Sequence, residues 1–421
     1  MKAKSTLTLF TLAVLLAVVS SANAQTLQVL HTFEGTDGLG PGALAMDQAG
    51  NLYGAAVAGG TRNCLSPMQS GCGTVFELSK KNSSWAFATL YEFQDWTDGW
   101  EPNSPLTVGP DRIIYGTTYD HVQDQEGAFG TVFSLRPTCV DLRCKQAVWK
   151  KTTLYRFDRD HGGHGCYTNG GLALDKAGNL YGTTQRCFSG QGAQSGQVYE
   201  LSPFRSLVGT WNMTVLHLFH GAPDDGKLPK GPVLFDQAGN LYGTTASGGS
   251  TDRGTVYELI PQGNRWTESL LHSFTGSDGE VPRGNLILDS SGSLYGVTQG
   301  GAFELTPSHD GWNITRQYVL RGPGYLLDGL TMDSAGNLYG VTVGGGSYGR
   351  GNVYKLTPTD DGWLYSSIYD FTGGGDGSDP SGPLVLDADG NLYGSAFGGG
   401  DANCNSGNGC GTVWIRALSS G

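Results

Sequence analysis

Apolar and polar positions along this chain alternate in short runs, broken by clusters of glycine, aspartate, asparagine and proline, and one arrangement of runs keeps returning. Between residues 232 and 274 four runs follow one another: Pro232 to Asp236, Asn240 to Thr245, Gly254 to Leu259 and Trp266 to Phe274. Period-two alternation bounded by turn-forming residues predicts strands, here named A, B, C and D in order.

The second run, Asn-Leu-Tyr-Gly-Thr-Thr in its fullest form, recurs seven times, with its tyrosine at Tyr53, Tyr115, Tyr181, Tyr242, Tyr295, Tyr339 and Tyr393. Intervals of 44 to 66 residues between these tyrosines match a repeated supersecondary unit with variable loops. The D run keeps a strict internal spacing. Tryptophan stands eight residues before a closing apolar residue, as in Trp85 with Phe93, Trp211 with Phe219 and Trp266 with Phe274. Six full D runs accompany seven copies of A, B and C, and the missing copy lies at the other end, where Leu30-His31-Thr32-Phe33 matches Leu271-His272-Ser273-Phe274.

This offset decides the architecture. A closed ring needs its first strand to complete its last sheet, so that no long edge is left unpaired. The sequence therefore predicts an all-β, seven-bladed β-propeller of four-stranded blades. Residues 26–33 should join strands near 383–387, 391–396 and 411–417.

The recurring residues have structural work to do. Asp47, Asp175, Asp236, Asp289, Asp333 and Asp387 each stand six before the tyrosine, with a glycine three residues later, which predicts an A-to-B hairpin turn. Blade two departs, with Gly109 and Arg112 at those positions. Asp387-Ala388-Asp389-Gly390-Asn391 has the opening of a calcium loop but lacks its distant glutamate, so the turn is the better reading. The repeated tyrosines read as packing rather than sugar-stacking residues. The glycine after each is expected to let the next sheet approach closely.

Composition agrees: 68 glycines and 15 % charged residues describe a turn-rich β protein. The first 24 residues, with Lys2 and Lys4, an apolar run from Leu7 to Val19 and the ending Ala22-Asn23-Ala24, have the form of a secretory signal peptide. Residues 25–421 are then expected to be a single propeller domain, secreted or periplasmic, without a membrane span and monomeric. A net charge of −12 disfavours nucleic acid, whose phosphates are bound by clustered Lys and Arg.

The pattern Leu-x-x-Asp-x-x-Gly-Asn-Leu-Tyr-Gly-Thr-Thr, followed by Gly-Gly and Gly-Thr-Val-Tyr-Glu-Leu, resembles the glycine-rich GloVer repeat of bacterial exported proteins, in the choice-of-anchor tandem repeat group. The resemblance runs from about residue 27 to 418. It implies export and a repeat fold but carries over no substrate, cofactor or catalytic residue, and with Ser419-Ser420-Gly421 following the last repeat no sorting tail of the kind the group's name refers to is expected.

With A innermost, the B-to-C and D-to-A loops share one face, and these are the long irregular ones. Loops on a rigid scaffold are where function concentrates. That face should carry Asp37, Asp98, Asp225, Asp278 and Asp376, each before a glycine. The repetition reads first as Asp-Gly turns and second as a negative mouth able to attract a cation or bond sugar hydroxyls. The least repeat-like stretch, Arg156 to Asn169, holds Asp158, Asp160, His161 and His164 beside Cys166, a set able to bind zinc or transfer protons. His31, His217 and His272 occupy a D-strand position that Tyr91, Tyr155 and Tyr369 fill elsewhere, and read as half-buried strand residues.

All eight cysteines are expected in disulfides in an exported protein. Cys166 and Cys187 should meet at one corner of blade three, and Cys139 and Cys144 should staple a C-to-D hairpin. Cys64 with Cys72 and Cys404 with Cys410 lie in matching loops of blades one and seven, neighbours across the closure, so links between those loops stay open. No nucleophile elbow, P-loop or metalloprotease motif occurs in the sequence. The leading expectation is a non-catalytic module binding a glycan or cell-surface protein through the loop-rich face. The rival is a carbohydrate- or lactone-active enzyme with a metal or carboxylates at the channel mouth.

Overall fold

The computed structural model describes residues 27–418 except 63, 65–70, 83, 95–97, 120–127, 140–146, 159–164, 169, 190–191, 205–210, 264 and 321–324. Its strands form seven antiparallel sheets, each ordered A-B-C-D. In blade one, A is split into Leu39–Pro41 and Ala45–Met46, followed by B at Leu52–Ala58, C at Thr74–Lys81 and D at Ser84–Glu92. In blade four, A is split into Gly226–Pro229 and Leu234–Phe235, B is Leu241–Gly248, C is Thr255–Gln262 and D is Arg265–Ser273. Apart from two 3-10 turns, Pro110–Arg112 and Asn405–Gly407, the regular structure among the described residues is strand. The protein is a seven-bladed β-propeller.

The ring closes as the offset predicted. Gln28–Thr32 pairs antiparallel with Thr412–Ala417, with His31 opposite Val413, and supplies the D strand of blade seven. Inner contacts complete the join: the Ser395 hydroxyl donates to the Gly42 carbonyl at 2.7 Å, and Ser381 to that of Pro41 at 3.2 Å. One core cluster accordingly mixes the two ends of the chain, with Phe33, Leu52 and Phe76 against Tyr393 and Val413.

The aspartate turns also form as expected, with more in them than a turn. In blade six the Asp333 carboxylate accepts the Ala335 and Asn337 amides, the Asn337 side chain at 2.7 Å and the Tyr339 hydroxyl at 2.9 Å. The same Tyr-to-Asp bond recurs in blades one, three, four, five and seven. The repeated tyrosine thus packs with its ring and closes its own hairpin with its hydroxyl. In blade two, where the aspartate is missing, Arg112 reaches back into blade one and donates to Tyr53 at 3.1 Å and Glu77 at 2.6 Å.

The glycine after the tyrosine does something other than admit the next sheet. In all seven blades it lies directly across the ladder from an aromatic residue of the same blade's C strand, for example Gly54 opposite Phe76, Gly243 opposite Tyr257 and Gly394 opposite Trp414. That ring lies over the glycine: a Cβ would meet it at 2.3 Å at all three positions. The blade core is built from these seven rings, all fully buried.

Candidate functional site

The described parts of the B-to-C and D-to-A connections lie on one face. Five of the latter carry the predicted rim aspartates, and each carboxylate is engaged. Asp37, Asp98, Asp225, Asp278 and Asp376 accept the amides of Glu34, Gln94, His220, Thr275 and Thr372, the residues that follow the closing aromatic of each D strand. Each also bonds the D-strand residue two before that aromatic: His31 at 2.8 Å, Tyr91 at 2.8 Å, His217 at 3.3 Å, His272 at 2.9 Å and Tyr369 at 2.9 Å. The half-buried histidines and the rim aspartates, read separately in the sequence, are partners. For Asp278, burial works against ionisation, but the bonds from Thr275 and His272 outweigh it and hold the carboxyl below its usual range. The Tyr369 hydroxyl, buried and beside an anion, is pushed up to about 12.

The D-strand His or Tyr also faces the next blade, at the residue two after that blade's tryptophan. His31 stacks on Phe87 with centroids 3.6 Å apart, and Tyr318 on Tyr365 at 5.4 Å. Two of these positions carry charge. Between blades one and two, Lys151 places its ammonium 2.8 Å from Asp98 Oδ1, with a side chain only 3 % exposed. Between blades three and four the corresponding residue is Glu268, on the same side as Asp225 in charge. Its Oε2 lies 3.6 Å from His217 Nε2, which is also 3.3 Å from Asp225 Oδ1. Burial, reinforced by Asp225 and opposed by His217, pushes the Glu268 carboxyl up to about 7. Asp225 is itself buried, yet bonds from His217 and the His220 and Gly226 amides keep it below the usual carboxylate range.

Sequence reading missed Glu268. A signal was present: the position two after tryptophan is Phe87, Met213, Ile314 and Tyr365 in four blades and charged only at Lys151 and Glu268. Asp160, His161 and His164 lie outside the described residues, as does Cys144. Cys64–Cys72 and Cys404–Cys410 are disulfides within their own loops, which settles the alternatives for those four. Cys166 and Cys187 are paired positions of the A and B strands of blade three, and Cys139 ends the C strand of blade two.

Two cavities of about 580 Å³ each accompany these residues. One touches inner strands or their approaches in six blades, through Gly42, Asn103, Leu172, Lys230, Arg283 and Ser381, and so lies on the ring axis. Its lining among the described residues is backbone, amide, hydroxyl, apolar and cationic. The other is a notch on the loop-rich face over blade five. There Leu294–Thr298 connects to Gly301–Ser308 through only Gln299 and Gly300. Its walls include the Arg253–Glu280 ion pair, Ser277, Gln299, Gln317 and Val319, which is 57 % exposed.

The class of protein these features define is a β-propeller with a rim stiffened by paired side chains. Residues 16–208 match the model of the Gloeobacter/Verrucomicrobia repeat, which bears out the resemblance to a GloVer-type repeat protein. No curated protein sequence matches it. In structure it is similar to two extracellular domains from B. thetaiotaomicron. One, from a protein described as a hybrid two component system, has 12 % identity and TM-score 0.52, covering 94 % of this chain and 41 % of that one. The other, from a protein described as a one component system, has 13 % identity and TM-score 0.52, covering 93 % of this chain and 42 % of that one. The chain thus spans about two fifths of those proteins. It is similar also to a protein described as a 6-phosphogluconolactonase from Bacteroides fragilis, with 13 % identity, TM-score 0.50 and coverage of 91 % of this chain and 96 % of that one. At such identities the likeness is one of fold.

Proposed function

We propose that this chain is an exported, non-catalytic propeller that binds a glycan on its loop-rich face, working as a monomer. The observation carrying this reading is the notch over blade five, formed because that blade has reduced its B-to-C loop to two residues while its neighbours keep longer ones. Two glutamine amides, an Arg-Glu pair and a serine hydroxyl around an exposed valine offer both donors and acceptors to sugar hydroxyls, with an apolar patch for a ring face. Engagement of the rim aspartates in turns and D-strand partners supports a scaffold role for them rather than a row of acid-base groups. Export is supported by two disulfides, which persist in oxidising compartments. No helix among the described residues is long and apolar enough to cross a membrane.

The test is a glycan panel against residues 25–421, read by binding calorimetry with product analysis on the same samples. Binding without turnover is expected, weakened at least about tenfold, near 1.4 kcal/mol, in Gln299→Ala/Gln317→Ala with an unchanged melting temperature. Product formation would instead favour the carbohydrate- or lactone-active reading. Capture of a cell-surface protein through the same notch, with no glycan bound, would replace the ligand class.

A further inference from the structure

We propose that His217, Asp225 and Glu268 form a site for one divalent transition-metal cation of the zinc type, clamping blade three to blade four. Their ligand atoms all lie within 4.8 Å of one another. Two of the three edges, 3.3 Å from His217 Nε2 to Asp225 Oδ1 and 3.6 Å to Glu268 Oε2, are close to the ligand spacing of a tetrahedral ion with bonds of about 2.0–2.1 Å, which is roughly 3.3–3.4 Å. The third edge, Asp225 to Glu268, is no longer than 4.8 Å, so a cation that draws the two carboxylates together can touch all three atoms. The ligands arrive from three elements, the blade-three D strand Trp211–Leu218, the loop after it, and the blade-four D strand, so the fold itself sets their separation.

The charge balance of the slot points to the same occupant. Asp225 is 7 % exposed, and Glu268 Oε1 is fully buried without a hydrogen-bond partner among the described residues. A buried carboxylate oxygen without a donor is costly, and here two carboxylates share the single imidazole of His217. An independent observation comes from the slot between blades one and two. There the residue at the Glu268 position is Lys151, and its ammonium sits on the rim aspartate Asp98, bonded to both the Asp98 carboxylate and its main-chain carbonyl. The fold thus has both room for a cation at this point and a use for one. Between blades three and four the chain supplies a third ligand in place of its own ammonium. One imidazole among the donors favours zinc and its neighbours over calcium or magnesium, which prefer all-oxygen sites. This site is separate from the notch over blade five, and either can fail without the other.

The experiment is zinc titration of the metal-free protein by calorimetry, with melting temperature followed in zinc, calcium and magnesium. One equivalent of zinc should bind saturably and raise the melting temperature, with little effect from calcium or magnesium. Glu268→Gln and His217→Tyr should each weaken zinc at least about 100-fold; tyrosine is the residue at the matching positions Tyr91 and Tyr369, so the fold is kept. Glu268→Lys should reproduce the arrangement at Lys151: a metal-free melting temperature at or above that of the unaltered protein, and no zinc response. His161→Ala/His164→Ala should leave the stoichiometry at one. Absence of saturable zinc binding, or zinc affinity unchanged in Glu268→Lys and His217→Tyr, would overturn the assignment.

Discussion

Tyr257 and Gly243 face each other across the B–C ladder of blade four, and the tyrosine ring fills the space a side chain at 243 would need. A Cβ there would meet the phenol oxygen at 2.3 Å. Gly243→Ala must therefore push a fully buried ring out of its packing. The expected loss is about 1–3 kcal/mol, read as a lower urea midpoint at unchanged slope.

The same ring carries a hydroxyl in an awkward place. Tyr257, Tyr199 and Tyr354 are fully buried, and among the described residues their hydroxyls have no hydrogen-bond partner, while Phe76, Phe133 and Phe303 fill the same position in other blades. Tyr257→Phe should stabilise the protein by about 1 kcal/mol, since it removes an unsatisfied buried oxygen and keeps the ring. A stability loss of that size would show that the hydroxyl has a partner.

Much of this was legible in the sequence because repetition supplies register. Seven tyrosines, six tryptophans and the displaced Leu30-His31-Thr32-Phe33 were enough to number the blades and close the ring. Pairings within a blade were harder. Gly243 and Tyr257 are 14 positions apart, and nothing in a strand pattern says which residue lies opposite which until the loop between them is fixed. The candidate site was less legible still. His217 and Asp225 were each visible as repeat positions, but Glu268 joins them from the next blade, and such meetings depend on the twist between sheets rather than on spacing.

The aspartate turns make the protein sensitive to acid. Burial alone would raise the Asp333 carboxyl, but bonds from Asn337, Tyr339 and Ala335 outweigh it and hold the folded-state value below 3.8. A depressed folded value means the stabilisation is present above about pH 4 and is lost as pH falls through the folded value. Asp333→Asn should cost about 1 kcal/mol near neutral pH, a figure already reduced for solvent screening, and the gap to the unaltered protein should close towards pH ~2. Urea unfolding across that range tests the slope.

In blade two, where the turn aspartate is missing, Arg112 ties the hairpin to blade one. Its guanidinium donates to Tyr53 and Glu77 and lies 5.6 Å from the centre of the Trp149 ring. Arg112→Ala should lower stability by about 1–2 kcal/mol. Arg112→Lys should recover less than half of that, because a lysine cannot reach both oxygens and the ring at once. Double-mutant cycles with Glu77→Gln measure the coupling.

Ring closure also sets an order of events. His31 is among the first residues of the propeller to be synthesised, and its ladder partner Val413 among the last, so blade seven cannot be complete until nearly all of the chain exists. Joining ends this distant costs roughly 5 kcal/mol of chain entropy, and the reward arrives only with the final strand. Until then Gln28–Thr32 is an unpaired strand, and Thr412–Ala417 presents an open edge when it first folds onto its blade. Two nascent copies could satisfy each other across that gap before either satisfies itself, which makes the last strand of this ring its point of exposure to domain swapping.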